Sequence, residues 1–274
     1  NPIWLSRSAS QIPNLFYAGL ALSFVPCLVL YRLPSQPPRL PSAAAEAALA
    51  GAGYCQELRQ MRQLRTNRSL LLLIAAVGVF SGGLGGWSSV FQSMLGPERF
   101  GEGTVGWMGF GNCLAVNVAG ITVGSLIDGY FYHRLKAGIL AGLCGCLLCL
   151  VLFTLSLPSF GMEAPRSPLP HSDGSLAVIA ASVGLFRGGA TPLFYELGAE
   201  LMHPAKESTS AGLIVFVVNV SFGVMVFLNS HLRAEDMNYI ISAVIAGILL
   251  IVLIAVQEQY KRPRDHERQQ LMCD

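Results

Sequence analysis

Charged residues are scarce in this sequence. They make up 12% of the 274 residues, whereas hydrophobic residues make up 53% and the mean hydropathy is positive. A soluble domain normally carries about 25% charged residues. The shortage of charge therefore argues against a domain that folds in water and directs attention to apolar segments long enough to cross a membrane.

Seven apolar stretches are each long enough for a transmembrane helix, which needs roughly 20 residues. Because lipid offers the backbone no hydrogen-bond partners, we predict that each stretch is an α-helix. The predicted spans are residues 13–33, 69–91, 105–129, 137–157, 175–199, 209–229 and 239–256. The sequence thus predicts an all-α, multi-pass membrane protein that is surrounded by the lipid bilayer.

Basic residues are divided unevenly between the predicted loops, and positive charge is retained on the cytoplasmic side of a membrane. Only Arg7, Arg99, Arg166 and Arg233 fall on one side. The other side receives Arg32, Arg39, Arg59, Arg62, Arg65, Arg68, Arg134, Lys136, Lys206, Lys261, Arg262, Arg264 and Arg268. We therefore predict an outside or lumenal N-terminus and a cytoplasmic C-terminus. No basic cluster remains for nucleic acid, which we exclude as a partner.

Residues for catalysis are missing as well. No histidine lies inside a predicted span, and no nucleophile–base pair is visible, so we expect neither an enzyme nor a cofactor. Cys144, Cys146 and Cys149 resemble a metal cluster only superficially, because no histidine or carboxylate accompanies them in their apolar helix. Packing among small residues is the better interpretation, and we predict no metal site.

The loops divide the chain into four regions. Residues 1–33 end with the first span, 34–68 form a Pro- and Ala-rich cytoplasmic linker that ends in a basic membrane-surface helix, 69–256 hold six spans, and 257–274 form a tail. One helix, a long linker and six helices match the end of the 6+6 bundle of the major facilitator superfamily, in which the substrate path lies between the halves. We therefore predict helices six to twelve of such a bundle and a missing N-terminal half of the same protein as partner.

Three blocks of sequence carry a more specific resemblance. They begin at Gly86-Trp87, at Gly106-Trp107 and at Pro192-Leu-Phe-Tyr-Glu196, the last running to Gly212. Together they resemble solute carrier family 49 along nearly the whole chain. The resemblance, which is greatest to the lysosomal member, implies proton-dependent transport of pyridoxine across the lysosomal membrane. Other members imply a carrier of choline or haem at the plasma membrane, and this alternative stays open.

Polar residues inside the spans are the candidates for contact with a solute, because such groups are costly in lipid. An amide can both donate and accept hydrogen bonds, and an aromatic ring can stack on a planar or cationic solute. Interhelical hydrogen bonds and interfacial anchoring are the alternatives. The predicted substrate-binding residues are Trp87, Gln92, Asn112, Asn117, Tyr195 and Asn219.

The fifth span carries three ionisable residues. Glu196 and Glu200 are four apart and share a helix face, where two close carboxylates favour the binding of a proton. We predict that they couple transport to protons, Glu196 foremost, with an interfacial packing role as the alternative. Arg187 lies near the middle of the span. It could hold an anionic group of the solute, pair with a carboxylate or be a peculiarity of this sequence, and the sequence does not decide among the three.

A turn between the third and fourth spans contains Gly124, Asp128 and Arg134. The spacing is similar to the cytoplasmic-loop motif of the superfamily, which implies a gating role for these residues. The alternative is an ordinary aspartate at an interfacial helix end.

A G-protein-coupled receptor also has seven helices and an outside N-terminus. However, no Asp-Arg-Tyr follows the third span, and no Asn-Pro-x-x-Tyr lies in the seventh. The sequence therefore favours a transporter over a receptor.

Overall fold

The computed structural model describes residues 2–32, 67–95, 101–131, 134–157, 172–202, 207–232 and 234–257, and these contain helices but no strand. The chain forms two compact units, Asn1–Ala50 and Gly51–Asp274. The first unit contains helix α1, Pro2–Arg32, with Pro13 and Pro26 inside it. The apolar part of α1, Phe16–Arg32, is shorter than a full span, so the first predicted span stays a prediction. Most of the predicted linker and tail lies outside the described residues.

The second unit is a bundle of helices. They are α2 (Arg68–Ser89), α3 (Phe91–Leu95), α4 (Glu102–Leu126), α5 (Leu135–Ser156), α6 (Asp173–Met202), α7 (Glu207–Asn229) and α8 (Ala234–Ala255). All except α3 contain a segment that is long and apolar enough to cross a membrane, which makes six candidate spans among the described residues. The six spans predicted after the linker are therefore confirmed, with ends that differ by a few residues.

The helix ends follow local sequence signals. At the start of α2, Oδ1 of Asn67 accepts a hydrogen bond of 3.3 Å from the backbone N–H of Leu70. At the start of α6, the hydroxyls of Ser172 and Ser175 each accept a bond from the other residue's backbone N–H. Such caps satisfy backbone groups that have no partner inside the helix.

Helix α6 packs most extensively on α4 and α5. Two glycines allow the contact with α4: a Cβ at Gly184 would lie 3.0 Å from Nδ2 of Asn112, and a Cβ at Gly188 would overlap the backbone of Val116. Residue numbers rise together along this contact, so α4 and α6 run in the same direction. The rigid backbone on both sides leaves no room for a larger residue at Gly188.

Helix α7 packs in a similar way on α2, where a π-helical turn spans Gly78–Gly82. A Cβ at Gly82 would overlap the carbonyl oxygen of Val218, and one at Gly86 would lie 2.6 Å from the Cβ of Met225. The glycine-rich run of the second span therefore serves close helix packing, as small residues do between membrane helices.

Three contacts tie the ends of the helices together. Nζ of Lys136, at the start of α5, donates to the carbonyl oxygens of Leu253 (3.0 Å) and Val256 (2.7 Å) at the end of α8. Nε1 of Trp87 donates to Oδ1 of Asn238 at the start of α8. Nδ2 of Asn229 donates to the hydroxyl of Ser93 in α3 over 2.9 Å. A cation at a helix C-terminus also offsets the partial negative charge there.

Candidate functional site

Helices α4 and α7 are the least covered spans of the second unit. Only 11% of the apolar window is buried in each, against 72% in α2. Each of the two has a packed side, which faces α6 or α2, and an opposite side with no covering element in the described part of the second unit. Polar residues are costly where they face lipid, so the polar residues on these open sides are the candidates for contact with a ligand.

Asn117 and Asn219 lie on the open sides of α4 and α7, and both are exposed. Nδ2 of Asn117 donates to the carbonyl oxygen of Cys113 over 2.8 Å, and Nδ2 of Asn219 donates to that of Val215 over 2.8 Å. Each amide is thus held by its own helix. Among the described residues, no donor reaches either amide oxygen, which leaves an acceptor available to a ligand.

Asn112 has a different environment. It is 2% exposed, and its Nδ2 donates to the carbonyl oxygen of Ala180 in α6 over 2.7 Å. The bond crosses between α4 and α6 beside Gly184. This geometry matches the interhelical alternative stated above, and solute binding by Asn112 stays a prediction.

Trp87 is fully buried, and its indole N–H donates to Oδ1 of Asn238 over 2.8 Å. Its ring meets those of Phe91 and Phe153 edge-on, at centroid distances of 4.6 and 5.3 Å. Such a cluster is typical of a packed core. Stacking of Trp87 on a solute stays a prediction, for which the described residues leave no exposed ring face.

The two glutamates lie in the last turns of α6. Glu200 is buried at 7% exposure, and Glu196 is half-buried one turn before it. Both glutamates interact with other groups, so neither residue is without a partner. Tyr195, also half-buried, packs against the hydrophobic core. Proton coupling by this pair stays a prediction.

The remaining predicted residues lie at helix ends. Gly124 is exposed, and a Cβ there would meet nothing within 4 Å among the described residues. Arg134 is exposed just before α5. Asp128 lies in a π-helical turn, Ile127–Phe131, and Gln92 lies in α3, but their side chains are outside the described part. Their gating and binding roles stay predictions.

The three clustered cysteines of α5 point in different directions: Cys144 is exposed, whereas Cys146 and Cys149 are buried. Within the described ranges, no group of three histidine, cysteine or acidic residues is arranged to hold a metal ion.

Arg187 occupies the centre of the second unit. A Cβ built at Gly85 of α2 would lie 3.2 Å from Nη2 of Arg187 and 3.2 Å from Cδ2 of Phe222 in α7. Cys113 of α4 and Cys146 of α5 are its electrostatic neighbours. The guanidinium therefore lies where α2, α4, α5 and α7 surround α6.

Comparison with known proteins identifies the relatives of this chain. No family model matches. The chain is 30% identical over 216 residues to the solute carrier family 49 member 4 homolog of Xenopus tropicalis, covering 78% of this chain and 45% of that protein. This chain is a homologue of the solute carrier family 49 proteins. The resemblance of the three sequence blocks is thereby confirmed.

Two choline/ethanolamine transporters are also similar to this chain. The chain is 31% identical over 225 residues to the choline/ethanolamine transporter flvcr2b of Danio rerio, covering 77% of this chain and 41% of that protein. It is 25% identical over 257 residues to the choline/ethanolamine transporter FLVCR1 of Felis catus, covering 90% and 43%. The chain spans a little under half the length of these curated relatives. The solute carrier family 49 homology and the six apolar helices together support a multi-pass membrane protein.

Two contacts of the bundle are not predicted by the sequence. Nothing in the sequence around Asn238 indicates that Trp87, 151 positions earlier, contacts it. The sequence identifies Lys136 as a basic residue of a cytoplasmic loop, whereas the structure shows that it also caps the end of α8. The only sequence signal for such a cap is a basic residue after a short loop, and this signal does not show which helix end the residue contacts.

Proposed function

We propose that this chain is the C-terminal part of a secondary-active transporter that moves pyridoxine across the lysosomal membrane together with protons. The observation that carries the proposal is the solute carrier family 49 homology, which covers 78% of the chain. The open sides of α4 and α7 in the bundle agree with it. Under this proposal an N-terminal half of the same protein covers the open sides of α4 and α7. The solute then passes between the halves, as in other transporters of this architecture.

Within this proposal the exposed amides of Asn117 and Asn219 contact the solute. Their free amide oxygens accept hydrogen bonds from the hydroxyl groups of pyridoxine, a small neutral ring compound. Both residues are already held by bonds to their own helices, so little side-chain freedom is lost on binding. The two amides are therefore already in place to bind the solute, and no large rearrangement of their side chains is needed.

Glu196 is proposed as the proton-coupling residue. Glu196 is half-buried in α6, and Glu200 follows it by one turn. The same helix carries Arg187 at its middle. Protonation of a carboxylate at membrane depth removes its charge, so the helix can move past lipid or protein at lower cost. A proton gradient would thus drive the exchange between one state whose path opens to the lumen and another whose path opens to the cytoplasm.

The test is uptake of labelled pyridoxine into proteoliposomes that contain the complete protein. We expect uptake to rise several-fold when an inward proton gradient is imposed, and Glu196→Gln to remove the response to the gradient. Asp173→Asn, at the opposite end of α6, is the matched control and should behave as the wild type. Flux that is unchanged in Glu196→Gln would exclude the proton role of this residue.

The choline and haem alternative is tested in the same vesicles. The names of the similar flvcr2b and FLVCR1 proteins favour choline or ethanolamine as the second candidate. Uptake of labelled choline without uptake of pyridoxine would replace the proposed solute and shift the proposed location toward the plasma membrane. Immunolocalisation of the tagged complete protein decides between lysosomal and surface membranes independently of transport.

A further inference from the structure

An uncompensated arginine lies at the centre of the bundle. Arg187 is residue 15 of the 30 in α6, and its Nε atom is buried without a hydrogen-bond partner among the described residues. The guanidinium is charged at every physiological pH. A cation at the middle of a membrane span is costly and is normally paired with an anion. The location therefore requires a negative group that the described residues do not supply.

The residues around Arg187 are neutral. Gly85 and the ring of Phe222 lie on one side, and the thiols of Cys113 and Cys146 lie on others. The nearest carboxylate along α6 is Glu196, nine residues away, which corresponds to roughly 13 Å along the helix axis. This distance exceeds the reach of an ion pair between neighbouring helical turns.

The acidic residues of α4 are equally remote. Arg187 faces α4 at the level of Cys113 and Val116, because Val116 packs against the adjacent Gly188. Glu102 is the first residue of α4, and Asp128 lies in the π-helical turn that follows the helix. Each is at least eleven residues from this level, or roughly 16 Å along the axis. No carboxylate on α4 or α6 is thus close enough to neutralise Arg187.

The guanidinium is also accessible to a ligand. Arg187 as a whole is only half-buried, although its Nε atom is fully buried, so part of its side chain is exposed. On α4, Cys113 is the neighbour of Arg187, and Asn117 lies one turn further on the same open side. A small molecule held by the amide of Asn117 would therefore be presented near the guanidinium.

We propose that Arg187 binds an acidic oxygen of the transported solute, such as a carboxylate, a phosphate ester or a phenolate, and so disfavours quaternary ammonium compounds. The proposal rests on the transport function proposed above and narrows its substrate class. Guanidinium groups form paired hydrogen bonds with such oxygens and are well suited to this task. A fixed cation beside the path repels choline, whereas the phenolate oxygen of a deprotonated hydroxypyridine is a fitting partner.

Binding to the purified complete protein tests the proposal without requiring transport. Three matched pairs of probes differ in one acidic group: pyridine-3-carboxylate and its amide, pyridoxine 5′-phosphate and pyridoxine, and 3-hydroxypyridine and pyridine. We expect the acidic member of at least one pair to bind the wild type about ten- to hundredfold more tightly, as a charge-assisted hydrogen bond implies. The pair that shows the preference identifies carboxylate, phosphate or phenolate as the group that is bound.

Variants show whether Arg187 is the cause. Arg187→Gln should reduce the preference to about one, Arg187→Lys should retain part of it, and Arg68→Gln, at the exposed start of α2, should leave it unchanged. Thermal unfolding without ligand guards against misfolding, and here Arg187→Gln should be at least as stable as the wild type, because it removes an unpaired cation. Pyridoxine uptake that fails while the acidic preference persists would reject the proposed solute but not this site.

Two results would overturn the proposal. One is that no acidic probe binds the wild type more tightly than its neutral partner. The other is that Arg187→Gln lowers the unfolding temperature and leaves the preference intact, since this is the behaviour of an arginine paired with a carboxylate inside the protein.

Discussion

Asparagines on the two sides of α4 differ in burial and in hydrogen-bond partners. Asn112 faces α6, is buried and bonds to the Ala180 carbonyl, whereas Asn117 faces outward and bonds only within its own helix. The residues share a helix and a chemistry, so the difference comes from what covers them. It follows that polar residues of one membrane helix can hold the bundle together on one side and remain available to a ligand on the other.

The largest expected effect comes from a larger residue in place of a glycine of α6 that contacts the packed side of α4. Gly188→Ala places a Cβ against the backbone of Val116, which cannot rotate away. Overpacking of this kind costs about 1–3 kcal/mol, and the rigid partner places the expected loss near the upper end. We expect a strong fall in the thermal unfolding midpoint of the complete protein in detergent.

The control for Gly188 is Gly106→Ala on the open side of α4. A Cβ at Gly106 meets nothing within 4 Å among the described residues. Alanine also favours a helix over glycine by about 0.5–1 kcal/mol, so this variant should be as stable as the wild type or slightly more stable. Equal destabilisation by both substitutions would show that the contact between α4 and α6 does not depend on close backbone packing.

A second comparison uses two tryptophans. Trp87→Phe leaves the buried amide oxygen of Asn238 without its donor, for which we expect a loss of about 2 kcal/mol within the 1–3 kcal/mol typical of unsatisfied buried groups. Trp107 is 73% exposed, so Trp107→Phe should change stability by less than about 0.5 kcal/mol. Chemical or thermal unfolding of both variants measures the difference.

Addition of Asn238→Leu to Trp87→Phe sharpens that test. Replacement of both partners of a buried hydrogen bond by apolar groups can be nearly neutral. The double variant should therefore be more stable than the sum of the two single losses predicts. Simple additivity would mean that the bond between Trp87 and Asn238 contributes little.

The smallest expected effect concerns the asparagines themselves. Asn112→Ala removes a hydrogen bond between helices and should cost about 1 kcal/mol. Asn117→Ala should leave stability within about 0.5 kcal/mol of the wild type and reduce uptake of the transported solute instead. The opposite pattern, with stability lost at Asn117 and uptake lost at Asn112, would contradict the roles assigned to the two sides of α4.

Sequence alone predicted the six helices of the second unit within a few residues. The predicted spans 137–157 and 209–229 correspond to Leu135–Ser156 and Glu207–Asn229. This success has a physical cause, because the bilayer demands long apolar segments and lipid allows only one way to satisfy their backbone. The superfamily could also be predicted, from the order of one helix, a long linker and six helices. The family could be predicted from the three blocks of sequence.

The assignment of individual residues to packing or binding was not accessible from sequence. Asn112 and Asn117 both interrupt an apolar helix, and Trp87 and Trp107 both follow a glycine. The apolar pattern of a membrane helix does not separate a protein-facing side from a lipid-facing one, because both are hydrophobic. Burial against α6, α5 and α8 distinguishes these residues, and it depends on contacts between positions that are far apart in the chain.

The lysine that bridges α5 and α8 has a consequence for sidedness. Lys136 holds the start of α5 beside the end of α8, while the bonds from Trp87 to Asn238 and from Asn229 to Ser93 gather the opposite helix ends at another level. The helix ends of the second unit are thereby sorted into two rims. A membrane-impermeant label that reaches a cysteine introduced at either rim would orient every span of this unit at once.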